Sequence, residues 1–119
     1  YGATRRAVLQ GADGVVFVAD SDPRRERANL QSKQDLLAAL QEHGHPLDEV
    51  GLVYQWNKRD LPKVLPLSVM ERTLNPEGAP AVEAVANKGE GVRETQEIVL
   101  RRTLEILRNT SLKGAARAV

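Results

Sequence analysis

Val53-Tyr54-Gln55-Trp56-Asn57-Lys58-Arg59-Asp60-Leu61-Pro62 begins as a short apolar run, breaks into Asn-Lys-Arg-Asp and stops at Leu-Pro. A strand of this kind delivers Asn57 and then Asp60 at its C-terminal end, where open α/β sheets hold small polar ligands. Asp60 offers two acceptor oxygens, and Asn57 offers an amide donor and an acceptor. The aliphatic stem of Lys58 can lie against a planar ring while its ammonium reaches toward solvent or backbone. Gln55 interrupts the apolar run and needs a partner, for which a neighbouring loop is expected. Trp56 reads as packing.

The flanks supply the frame. On the N-terminal side, Asp13-Gly14 introduces Val15-Val16-Phe17-Val18-Ala19, an unbroken apolar run suited to a strand covered on both faces. Asp20-Ser21-Asp22-Pro23 follows, with Ser21 or Asp22 as cap and Pro23 opening a helix over 23–43. Leu30, Leu36, Leu37 and Leu40 give that helix its apolar stripe. Arg24, Arg25 and Arg27 read as a solvated basic face. Val50 to Trp56 is the second strand. A short helix over 67–74 carries Leu67, Met70 and Leu74, and Asn75-Pro76-Glu77-Gly78 is a turn. Residues 81–86 form a third strand, and Asn87-Lys88-Gly89-Glu90-Gly91 a Gly-rich loop. A long helix over 92–108 follows, with Val99, Leu100, Leu104 and Leu107 as its stripe and Thr103 inside it. Residues 1–10 read as the tail of a helix ending near Gly11, and 111–119 as a frayed tail. Strands alternating with helices predict an α/β fold with a mostly parallel sheet, helices on both faces and right-handed crossovers.

Composition narrows the function. The chain has 119 residues, 41% hydrophobic and 28% charged, a mix typical of one globular domain. A net charge of +1 gives no field for nucleic acid or a membrane surface. No apolar stretch approaches the roughly 18 residues of a membrane span. Without cysteine there is no disulfide framework and no thiolate metal site. His43 and His45 flank Gly44 as surface histidines, and no metal site or Ser–His–Asp set follows from the spacings.

Guanine presents its N1–H and N2–H₂ donors side by side, which suits one carboxylate. Adenine lacks that pair and would leave the charge unanswered. Asn57-Lys58-x-Asp60 at a strand end resembles the guanine-recognition motif of Ras-like small GTPases. Gln-Trp-Asn-Lys-Arg-Asp-Leu-Pro, Gly-Val-Val-Phe-Val-Ala-Asp-Ser, Leu-Asn-Pro-x-Gly and Glu-Ala-Val-Ala are most similar to the MglA-type GTPases of bacterial gliding motility. Ala84-Val85-Ala86-Asn87 resembles the family's Ser-Ala-Lys element. The resemblance implies that the Ala86 N–H meets the purine carbonyl, with Val85 and Asn87 standing where the family has Ser and Lys.

The resemblance further implies a P-loop NTPase fold of small G-domain type, GTP/GDP as ligand, and a switch acting in cell polarity and motility in the cytoplasm. An MglB-like GTPase-activating partner goes with it. No Gly-x-x-x-x-Gly-Lys-Ser/Thr loop is present to cradle phosphates and place Mg²⁺. Residues 1–110 are therefore expected to be the C-terminal, base-binding part of such a domain, without catalytic residues or metal ligands. Its first strand would be left as an open apolar edge. Two other readings stay open: a non-catalytic α/β interaction module on a degenerate G-domain scaffold, and a small flavodoxin-like enzyme domain. On the GTPase reading, residues 1–119 alone bind GTP or GDP far more weakly than a complete domain. Isothermal titration showing submicromolar affinity would contradict this.

Overall fold

A computed structural model describes the backbone of residues 14–118 and the side chains of 14–109. The helical tail expected over 1–10 lies outside the described residues. Strands β1 (Gly14–Asp20), β2 (Gly51–Asn57) and β3 (Ala81–Glu83) form a parallel sheet in the order β1-β2-β3. Helix α1 (Glu26–Glu42) connects β1 to β2, α2 (Leu67–Leu74) connects β2 to β3, and α3 (Val92–Ala118) closes the order. The three-layer α/β arrangement expected from the alternation is the one observed.

The two apolar runs pair along their whole length, from Gly14↔Gly51 to Asp20↔Asn57. One sheet face carries Val15, Phe17 and Ala19 beside Leu52, Tyr54 and Trp56, and packs on Leu36 and Leu40 of α1 and Met70 and Leu74 of α2. Each large side chain buried there contributes about 1.5–3 kcal/mol. Tyr54 stacks on Trp56 with centroids 5.1 Å apart. Helix α3 crosses the opposite face. It comes close because β1 and β2 both begin with glycine: a Cβ on Gly14 or Gly51 would lie 2.2 or 2.8 Å from Thr103 Oγ1.

Several expectations need correction. Pro23–Arg25 is a 3₁₀ turn ahead of α1, capped by Asp22, whose carboxylate accepts the Arg24 N–H at 3.0 Å. Hydrogen bonds from Arg24 hold the Asp22 carboxyl down at about 2. Leu30 and Leu37 are exposed, and the buried stripe of α1 is Asn29, Lys33, Leu36 and Leu40. The spacing is helical, but two members are polar, so a hydrophobicity pattern passes over them. The α3 stripe holds in part: Val99 and Thr103, both half-buried, face the sheet at Gly14. Leu100, Leu104 and Leu107 are exposed, while Thr95 is buried and Thr103 meets the glycines. Helix α3 also continues past 108 to Ala118. Strand β3 stops at Glu83, because Val85 leaves the sheet to form an antiparallel bridge with Glu90.

Lys33 is buried because it is fully engaged. Its ammonium donates to the Leu74 carbonyl at 2.6 Å and to Glu77 at 2.5 Å, and also to the Tyr54 hydroxyl. The Tyr54 hydroxyl donates to Glu77 in turn. Burial, then the bond and charge of Glu77, push the Tyr54 phenol up. Burial alone would raise the Glu77 carboxyl, but the bonds from Lys33 and Tyr54 outweigh it and the net direction is down. A depressed acid stabilises the fold fully above its unfolded value and loses that contribution as pH falls through the folded value. Thermal melts from pH 7 to pH 3 are therefore expected to show the wild-type midpoint falling more steeply below the ordinary glutamate value of 4.5 than that of Glu77→Gln. Parallel curves would mean that the pair contributes nothing to acid sensitivity.

Candidate guanine-base site

Asn57 ends β2 and joins three segments. Its carbonyl accepts the Ser21 N–H at 2.9 Å, which fixes the turn after β1. Its side-chain Oδ1 accepts the Ala86 N–H at 2.9 Å, which fixes the turn after β3. Lys58 then takes a left-handed conformation with φ 64°. Such a backbone costs roughly 1–3 kcal/mol for a residue with a side chain. It reverses the chain so that the Arg59 N–H reaches the Ala84 carbonyl at 3.2 Å.

Arg59, the variable position of the motif, acts as a clip. Its Nη1 donates to the Leu65 carbonyl at 2.7 Å, and its Nε lies 3.4 Å from Glu83. Asp60 follows with a side chain 39% exposed and a carboxylate oxygen 3.5 Å from Lys88 Nζ. That separation is too long for a strong charge-assisted bond, so the carboxylate keeps acceptor capacity. The Lys58 side chain is 55% exposed, and its ammonium lies 3.0 Å from Asp20.

The second segment is a tight loop. Val85 is buried, and its backbone exchanges hydrogen bonds with Glu90 at 3.0 and 3.2 Å. Its side chain therefore takes no polar role, and its peptide closes the loop. Ala86 and Asn87 are exposed in a 3₁₀ turn, Ala86–Lys88. Gly91 makes the return possible: at φ 79° it passes so close to β3 that a Cβ would lie 2.4 Å from the Glu83 carbonyl. Gln55 bonds the first turn of α3 and not a loop, its Nε2 donating to Thr95 Oγ1 at 2.9 Å. Thr95 Oγ1 donates onward to the Gly91 carbonyl at 2.6 Å. The polar side chain inside β2 thus braces the same loop through one intermediary.

Of the residues singled out in the sequence, Asn57 and Ala86 are in direct contact. Asp60 and Lys88 lie across the same mouth. Val85 faces inward. Asp20 and Arg59 were not singled out. For Asp20, the available signal was its in-register position opposite Asn57, which depends on strand pairing. Among the described residues, no three His, Cys, Asp or Glu side chains gather as they would around a metal ion. No helix among them is long and apolar enough to cross a membrane.

The chain is 42% identical over 108 residues to the mutual gliding-motility protein MglA of Myxococcus xanthus (strain DK1622). The match covers 91% of this chain and 55% of that protein, so the chain spans about half the length of its relative. No family model matches. Three parallel strands with helices on both faces fit part of a small G-domain.

The Asn57–Ala86 bond is the link that holds the two segments together. Asn57→Ala is expected to lower stability by about 1 kcal/mol, since Ala86 is exposed and water can replace the lost partner. Exchange of the Ala86 amide hydrogen, followed by NMR, is expected to speed up about tenfold. Unchanged exchange would show that the loop holds itself without Asn57.

Proposed function

We propose, from a chain that is MglA-like over most of its length, that these residues form the base-recognition part of a guanine-nucleotide switch binding GTP and GDP. The observation that carries this reading is the 2.9 Å hydrogen bond from the Ala86 N–H to Asn57 Oδ1. It draws the Asn57–Asp60 turn and the Ala86–Lys88 turn to one mouth, at the carboxyl ends of the strands, where α/β sheets hold ligands. The two oxygens of Asp60 take the paired N–H donors of guanine. The Nδ2 of Asn57 remains to donate to the ring, and the stem of Lys58 covers one ring face. In the Ala86–Lys88 turn the Ala86 N–H, which the resemblance gives to the purine carbonyl, is held by Asn57 Oδ1 and the Lys88 N–H by the Val85 carbonyl. The Asn87 N–H is therefore the one left to meet that carbonyl, beside an Ala86 small enough to let backbone approach base. Val85 and Asn87 serve through this backbone and not through the side chains that the family carries there.

In the whole protein, phosphate binding, Mg²⁺ and GTP hydrolysis belong to residues outside this chain's motifs. The relative's name supports a role in gliding motility. We extend that role to a molecular switch in cell polarity, cytoplasmic and controlled by an MglB-like activating partner.

Asp60→Asn tests the reading in the full-length protein. An amide can donate where the carboxylate only accepts, so preference is expected to move from guanosine toward xanthosine nucleotides. A shift of at least about tenfold in the competition ratio is expected, because a site that hydrogen-bonds its ligand rejects the mismatched one strongly. An unchanged ratio would sink the base-site assignment.

A further inference from the structure

Asp20 is the last residue of β1 and pairs in register with Asn57. Its peptide is clamped on both sides by one buried side chain. Asn29 Oδ1 accepts the Asp20 N–H at 3.1 Å, and Asn29 Nδ2 donates to the Asp20 carbonyl at 2.8 Å. The carboxylate is fixed as well. Oδ1 accepts the Asp22 N–H at 2.9 Å, and Oδ2 lies 3.0 Å from Lys58 Nζ. The carboxylate is thus set in place by its own turn before it meets the lysine. Lys58 has a half-exposed side chain on a left-handed backbone, and its firm partner among the described residues is Asp20. Both residues line a polar cleft of about 300 Å³ with Asn57, Asn29, Ser32 and Arg25.

We infer that Asp20 is a positioning residue for nucleotide binding: it anchors the Lys58 ammonium so that the lysine stem is already laid out as the cover over the purine ring. The inference rests on the guanine reading above. A lysine loses more rotamer freedom on ordering than most side chains. An ion pair formed beforehand removes that cost from the binding step. With its lysine end half exposed, the pair adds little to folding stability. Its effect therefore shows in nucleotide binding and not in the melting temperature.

Asp20→Asn keeps the shape and the acceptor for the Asp22 N–H while removing the charge. In the full-length protein, titration with a fluorescent GDP analogue is expected to show binding about two- to fivefold weaker, the binding equivalent of an exposed ion pair. The melting temperature is expected to stay unchanged, and the difference to shrink in high salt. In a Lys58→Met background, where an apolar stem still covers the ring, Asp20→Asn is expected to have no further effect. An equal loss in both backgrounds would overturn the inference, because Asp20 would then act without Lys58. So would wild-type affinity in Asp20→Asn. The Asp60→Asn competition separates the two levels. If it shifts toward xanthosine while Asp20→Asn binds normally, only the role of Asp20 fails. If it does not shift, the base reading fails and the role of Asp20 fails with it.

Discussion

The proposed ligand end of this molecule hangs from β2, a strand whose residues Gly51 to Trp56 are all buried and whose last residue, Asn57, is not. A strand covered on both faces must satisfy its backbone within the sheet, and β2 does so between β1 and β3. Its position is therefore fixed by two neighbours and two helix layers at once. Where the burial ends, the chain has no freedom left in where Asn57 emerges. The amide is delivered to one point, and the turns after β1 and β3 are both tied to it. A peripheral strand in the same sequence context would deliver the same side chain to a less certain place.

Polar groups inside the core do the joining. Asn29 holds the end of β1, and Lys33 ties α1 to the turn after α2. Asn75 bonds the Ala79 backbone through both its carbonyl and its amide, and Gln55 reaches the Gly91 loop through Thr95. These bonds act at strand ends, helix ends and the turns beside them. An unmatched polar group in these places would cost more than its bond gains. The pairing therefore penalises alternative loop positions more than it strengthens the native one. That is what a site made from two loops requires, because apolar packing is tolerant of small shifts and hydrogen-bond geometry is not.

The electrostatics of the mouth follow from the same construction. Asp20, Lys58, Asp60 and Lys88 alternate in sign across the strand ends and stand in two pairs, 3.0 and 3.5 Å apart. The tighter pair is anchored in the frame, and the looser one bridges the two loops. Asp60, whose carboxylate we propose for the base, has the weaker hold on its partner. It can exchange a distant cation for close donors at small cost, while Lys58 stays where Asp20 keeps it.

The amino-acid sequence by itself determined the layer order, the three strands, the helix over 67–74 and the polar break at Asn57–Asp60. Those features are local: apolar runs of strand length, turn residues and a proline after the break leave few alternatives. Likeness to the gliding-motility GTPases was legible for the same reason, since it is carried by contiguous motifs. Only the tertiary structure decided which helix faces are buried. Lys33 and Asn29 go inside because Tyr54, Glu77 and the Asp20 peptide wait for them, and Leu100 and Leu104 stay outside because α3 approaches the sheet through Thr103 over two glycines. The register that sets Asp20 beside Asn57, and the bond from Ala86 to Asn57, also belong to that level. They join residues far apart in the chain, and no periodicity within one segment encodes a partner in another.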